Sequence, residues 1–216
     1  MKVGKIDMWT IKLYTRAFLI FLTVASQAFA QQPSLDAKGL YRQIRFLDSL
    51  IQMESEARIR KGDFQFLPGG ETFNKKLAVS KDLDALVKSR DPSALFYSGL
   101  LKSEFADRIS SSVDRSANAL GLASEEYSGA LSLFKMAGDS GVISGYWNVA
   151  VQYEKGQGVI ASPLAASEWY YKAAQAYLRE GDRERAIAAL EAIKRLTKDS
   201  PLSIRLETAL KKGEPK

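Results

Sequence analysis

The block Trp169-Tyr170-Tyr171-Lys172-Ala173-Ala174 stands thirty-six residues after a degenerate copy of itself, Leu133-Phe134-Lys135-Met136-Ala137-Gly138. A period of that size constrains the fold more than any other feature of the chain. It is the length of one helical hairpin, a unit too small to bury its own apolar face, so neighbouring units must stack. The expected fold class is therefore all-α, a short α-solenoid of antiparallel helical hairpins. Arrays of this kind act mostly by binding partners along an extended surface.

Each block sits in a longer frame. Leu133 to Ala150 reads as the end of one hairpin, a turn at Gly141, and a new helix through Gly145-Tyr146-Trp147-Asn148-Val149-Ala150. Tyr153, Gly156-Gln157-Gly158-Val159, Pro163 and the tryptophan block follow. This order resembles the Sel-one-like repeat of the tetratricopeptide-like helical repeat family. The resemblance covers one nearly complete repeat, about residues 141–178, and one divergent repeat, about 92–140. In the divergent copy Asp91-Pro92-Ser93-Ala94-Leu95-Phe96-Tyr97-Ser98-Gly99 matches the first helix, but no Gly-x-Gly follows it. A tetratricopeptide-like hairpin over about 175–212 completes a repeat domain, 91–216, behind an N-terminal helical region, 31–90. The resemblance implies a right-handed superhelix, with a protein segment laid in the concave groove formed by the first helices of successive repeats.

Where two helices cross closely the residues must be small, and where they leave a groove it must be filled. Ala150, Gly99, Ala137, Ala173 and Ala174 suit the crossings; Trp147, Tyr153, Trp169 and Tyr170 suit the grooves. Gly156 and Gly158 let the chain leave one helix and turn back, because glycine tolerates positive φ. As a phosphate loop Gly156-Gln157-Gly158 lacks both a third glycine and a following Lys-Ser/Thr, and nothing else in the chain calls for a cofactor.

The first thirty residues read as a secretory signal peptide. Lys12 and Arg16 precede the apolar run Ala17–Ala25, too short to span a bilayer comfortably, and Ala28-Phe29-Ala30 supplies the small-residue cleavage pattern before Gln31. A start at Met8 leaves a compact positive segment. Cleavage after Ala30 places the mature chain in the periplasm or outside the cell, with no transmembrane segment. It also removes four Lys/Arg and one Asp, so the formal charge falls from +6 to +3. That small excess is no footprint for nucleic acid. It lies wholly after Arg183, where Lys194, Arg195, Lys198, Lys211 and Lys212 either face an anionic polymer of the envelope or form a solvated end-cap.

Helix predominates along the mature chain. Leu40, Ile44, Leu47 and Ile51 give a first helix of about 35–61 with one buried stripe. Residues 63–79 hold Phe64, Phe66, Leu67 and Phe73 without a helical period, which predicts an irregular loop folded on its aromatics or a short extended segment. Ser80, Asp91-Pro92, Ser124, Ser162-Pro163, Asp182 and Ser200-Pro201 mark helix starts, and Gly62 and Gly181 mark ends. The stretch Ile109–Ala123 reads as a long inter-helix insertion, a recognition loop or a tolerated surface insertion.

No catalytic set stands out. The chain has no histidine and no cysteine, which removes Ser-His and Cys-His nucleophiles and the usual soft metal ligands. Ser132-Leu133-Phe134-Lys135 matches Ser-x-x-Lys, but the companion Ser-Asp-Asn and Lys-Thr-Gly motifs are missing. The carboxylate pairs Asp82/Asp84, Glu125/Glu126 and Asp182/Glu184 fall at expected helix starts, where acids offset the backbone dipole. Asn148, Gln152 and Lys155 form a polar stripe at i, i+4 and i+7, either lining the partner groove or simply solvated. The expected function is a non-enzymatic scaffold for protein–protein interaction in the cell envelope. The alternative is a peptidoglycan- or carbohydrate-binding protein, with a cell-wall-active enzyme a distant third.

Overall fold

The computed structural model describes residues 36–60, 70–112, 116–198 and 200–212. The expected signal peptide, its cleavage point and the aromatics Phe64 and Phe66 lie outside the described residues. Among the described residues the regular structure is helical throughout: α1 (Ala37–Arg60), α2 (Glu71–Lys88), α3 (Pro92–Ser111), α4 (Ala117–Asp139), α5 (Ile143–Lys155), α6 (Pro163–Arg179), α7 (Arg183–Leu196) and α8 (Pro201–Lys212). None of them is long and apolar enough to cross a membrane.

Local chemistry sets most of these boundaries. Asp91 caps α3 by accepting the amide of Ala94 at 2.7 Å, Ser162 caps α6 through Ala165 at 3.2 Å, and Asp182 caps α7 through Arg185 at 3.0 Å. Gly156 ends α5 in the left-handed region at φ 70°. The turns at Gly141 and Gly181 also need positive φ, 100° and 77°.

Two boundaries differ from expectation. Helix α2 begins at Glu71, so residues 71–79 are helical and Ser80 lies inside the helix. Ion pairs hold this stretch, Lys75 to Glu71 at 2.7 Å within the helix and Lys76 to Asp48 at 2.5 Å across to α1, together with a bond from Thr72 to Glu54 at 2.8 Å. Phe73 and Leu77 stay exposed, which is why no apolar period betrays the helix. Likewise α4 begins at Ala117, capped by Ser116 through the Ala119 amide at 3.2 Å, seven residues before the expected start at Ser124. Residues 109–111 and 117–123 are therefore helix, and the expected recognition loop is largely a lengthening of α3 and α4. Asp82, Asp84, Glu125 and Glu126 are interior helical positions, so the dipole accounts for Glu184 alone among these acids and the cap for Asp182.

Each helix packs on the next, and α1–α3 and α6–α8 also touch. The largest core cluster joins α5, α6, α7 and α8 around Ala150, Tyr170, Ala173, Ala174, Ile193 and Leu206. A second joins α1, α2 and α3 through Leu40, Ile44, Leu83 and Ala94. Between them Phe134 of α4 fills the space beside Val149 of α5 and Phe96 of α3. A Cβ on Gly99 would lie 2.7 Å from the Phe134 ring, so glycine permits that approach.

Candidate functional site

The first sequence block lies in α4 and the second in α6. Phe134 and Tyr170 are both buried, at 1% and 2% exposure, and Ala137 and Ala173 are both fully buried. Of the residues expected to fill grooves, Tyr170 is buried, while Trp147, Tyr153 and Trp169 are partly buried and packed against the core. A residue one position along a helix turns about 100°, so in a block with adjacent aromatics the pattern alone does not say which points inward.

Around Trp169 cations and rings alternate. Lys172 Nζ lies 4.1 Å from the Tyr146 ring centre and 4.8 Å from that of Trp169. Lys135 Nζ lies 5.6 Å from the Trp169 ring centre and 5.4 Å from that of Tyr153. Tyr146 and Trp169 sit 5.8 Å apart in a tilted arrangement. Lysines at these distances are attracted by the negative ring faces. The cluster draws Lys135 from α4, Tyr146 and Tyr153 from α5, and Trp169 and Lys172 from α6.

A second pattern recurs along the chain: a tyrosine hydroxyl donates to a carboxylate that a further side chain holds from another direction. Tyr41 donates to Glu104 at 2.7 Å, and Arg45 pairs with the same carboxylate, tying α1 to α3. Tyr127 donates to Asp107 at 2.5 Å, and Gln157 reaches both, joining α3, α4 and the loop after α5. Tyr146 donates to Asp139 at 3.0 Å, and Lys172 binds that carboxylate at 2.9 Å, joining α4, α5 and α6. Tyr170 donates to Glu154 at 2.9 Å, and Arg195 grips both Glu154 oxygens at 2.5 and 3.1 Å, joining α5, α6 and α7.

The electrostatics follow the contacts. Burial, aided by Glu104, pushes the Tyr41 hydroxyl up to about 12, and Tyr127, Tyr146 and Tyr170 are likewise raised, by burial first and by their carboxylate acceptors second. Arg195 holds Glu154 below its ordinary range against the opposing effect of burial, and Lys172 does the same for Asp139. A carboxylate with a depressed folded pKa stabilises the fold above its unfolded value, about 3.9 for Asp and 4.3 for Glu, and that stabilisation is lost as pH falls through the lower folded value. Urea midpoints are therefore expected to change little between about pH 7 and 5 and to fall below about pH 4.5. Glu154→Gln should have a lower midpoint at neutral pH and a shallower decline in acid; parallel profiles for the two proteins would contradict this.

The polar stripe expected on α5 is not a single surface. Gln152 is buried at 2% exposure, its Nε2 donating to the Tyr127 carbonyl at 2.9 Å and its Oε1 without a protein partner. Asn148 donates to the Ser144 carbonyl and is half-buried, and Lys155 is exposed. On this helix Lys155 is exposed, Ser144 and Asn148 are half-buried, and Val151 is half-buried against the core of α5–α8. The i+4 step from Asn148 to Gln152 crosses to the inner side.

The basic residues near the C-terminus also part company. Arg195 turns back onto Glu154 and Lys194 pairs with Glu207, while Lys198, Lys211 and Lys212 remain exposed. All five side chains are exposed, Lys194 and Arg195 within surface ion pairs. Ser132 Oγ donates to the Ser128 carbonyl of its own helix at 3.2 Å, and Lys135 is engaged with Tyr153 and Trp169. Comparison with protein-family models, with curated proteins and with solved structures finds no match to this chain.

Proposed function

We propose that this chain is an exported, non-enzymatic repeat scaffold of the Sel-one-like kind, a short right-handed solenoid that binds a protein segment in the cell envelope. The observation that carries the reading is that the two blocks bury matching positions, Phe134 with Tyr170 and Ala137 with Ala173, in α4 and α6 of a chain whose helices pack each on the next. Serial hairpins of this type leave long outward faces that are not needed for the core. On α5 that face holds Ser144, Asn148 and Lys155. The polar side chains with the strongest internal bonds are occupied in joining helices, which favours a structural and binding role over catalysis. The carbohydrate-binding alternative is weakened because lysines and Tyr146 already stand against the Trp169 ring, the natural stacking platform.

The test is co-purification from envelope extract. A stoichiometric protein partner that persists at 0.5 M salt is expected, and the double variant Asn148→Ala/Lys155→Ala should reduce its capture without moving the thermal midpoint. Salt-sensitive sedimentation with purified sacculi and no protein partner, abolished by changing Lys198, Lys211 and Lys212 to Gln, would replace this reading with the envelope-polymer binder.

A further inference from the structure

The carboxylate-centred clusters make Lys135 stand out. In three of them the holding group is a cation, Arg45, Lys172 or Arg195, and each meets a carboxylate that also accepts a tyrosine hydroxyl. Lys135 has the tyrosine but not the carboxylate. Its Nζ donates to the Tyr153 oxygen over a long 3.4 Å, and no acidic side chain among the described residues pairs with it. Asp139, one helical turn along α4, is hydrogen-bonded to Lys172 and Tyr146, and Lys135 acts on it only through its charge, without an ion-pair contact. The Tyr153 hydroxyl hydrogen likewise has no acceptor among the described residues. An ammonium has three donors, and ring faces attract it without neutralising it. Lys135, Tyr153 and Trp169 are all half-buried, which strengthens a charge-assisted bond made there while leaving the groups reachable.

We propose that Lys135 and Tyr153, beside the Trp169 ring, form a docking site for a carboxylate of an acidic peptide segment, which completes the cluster that the chain itself leaves open. This rests on the protein-scaffold reading and names the chemistry of its partner. The incoming carboxylate accepts from the Tyr153 hydroxyl and from Lys135 Nζ, as Glu154 does from Tyr170 and Arg195. Lys172, also close to the Trp169 ring, adds to the local positive field, while Asp139 sets its sign limit: one acidic group is accommodated, and a neutral peptide gains nothing.

The full chain, freed of its first thirty residues if these are cleaved on export, is titrated at low salt with acetylated, amidated hexaglutamate, with hexaglutamine as control. The indole N–H resonance of Trp169 reports the site. A saturable shift of that resonance by hexaglutamate alone is expected. Lys135→Gln should weaken binding at least about tenfold, the loss of one charge-assisted contact, and Lys135→Arg should largely retain it. Tyr153→Phe supplies the same test should Lys135→Gln not fold. Unchanged affinity in both Lys135→Gln and Tyr153→Phe overturns the proposal. So does the absence of a Trp169 shift at millimolar peptide, or a response to polygalacturonate without one to hexaglutamate. The scaffold reading stands or falls separately, on whether a protein partner co-purifies.

Discussion

Replacing Gly145 by alanine is expected to lower stability by about 2 kcal/mol or more, despite its position in a helix. Alanine normally gains up to about 1 kcal/mol over glycine in a helix interior. Here an added Cβ would overlap the Phe134 carbonyl oxygen and lie 2.7 Å from the Gly138 nitrogen, so it would press on the backbone of α4 rather than on a side chain that can swing aside. Gly138 meets the Tyr146 ring just as closely, and together the two glycines let α4 and α5 approach nearly to backbone contact. Relief requires the two helices to separate, which would loosen Phe134 and Val149 between them. Gly121→Ala is the control, since nothing lies within 4 Å of a Cβ there; it should be stabilising by about 0.5–1 kcal/mol. Urea unfolding followed by helical circular dichroism compares the two, and equal midpoints for both variants would show that the α4–α5 approach is not tight.

Tyr170→Ala is expected to cost about 3–5 kcal/mol. The ring is almost wholly buried, packs edge-on to Trp147 at 4.8 Å, and carries the hydroxyl that meets Glu154. Alanine removes the ring volume and leaves Glu154 with Arg195 alone. Tyr170→Phe keeps the volume and loses one hydrogen bond, about 1 kcal/mol. Trp169→Ala should cost less than Tyr170→Ala although tryptophan is larger, because the Trp169 ring is only half-buried. The order of the three midpoints decides the matter: Trp169→Ala as the most damaging change would reverse the inside and outside of the block.

The parts of the fold that were legible in the sequence are those where chemistry is local. Asp91, Ser162 and Asp182 signal helix starts because a short acceptor side chain satisfies free amides at the first turn, and each does so here. Leu40, Ile44 and Leu47 of the stripe on α1 are buried as their period indicates, while Ile51 at its end is only half-buried. The early turns of α2 and α4 were illegible for one reason in both: Phe73, Leu77, Leu120 and Leu122 are exposed, so those turns present no buried apolar row. Their helices are held by ion pairs, by the Ser116 cap and by continuation from better-packed turns.

The candidate site was legible only as a composition. That Trp169, Lys172 and Tyr153 lie close together in the chain is visible in the sequence, but their meeting with Lys135 depends on how α4, α5 and α6 pack. The Tyr–carboxylate clusters had no sequence signature, because their members are separated by 16 residues for Tyr170 and Glu154 and by 63 for Tyr41 and Glu104. Gln152 was misplaced for the opposite reason. Its neighbours at i−4 and i+3 are polar and outward, but the Tyr127 carbonyl of another helix captures its amide.

The carboxylate clusters also bear on a hazard of chains made of several similar amphipathic helices, which is that one helix can stack on the wrong neighbour with nearly the same apolar fit. Hydrophobic contact is non-directional and penalises such an error weakly. A displaced pairing of α5 with its neighbours would bury the Tyr170 hydroxyl without an acceptor and strand Glu154 away from Arg195, and uncompensated polar burial is costly. The clusters differ in part: Asp139 is matched to a lysine and Asp107 to a glutamine, while Glu104 and Glu154 are each matched to an arginine. These junctions thus carry keys of three kinds, so that the order of the helices they join is checked by hydrogen bonding where shape alone would accept a substitute.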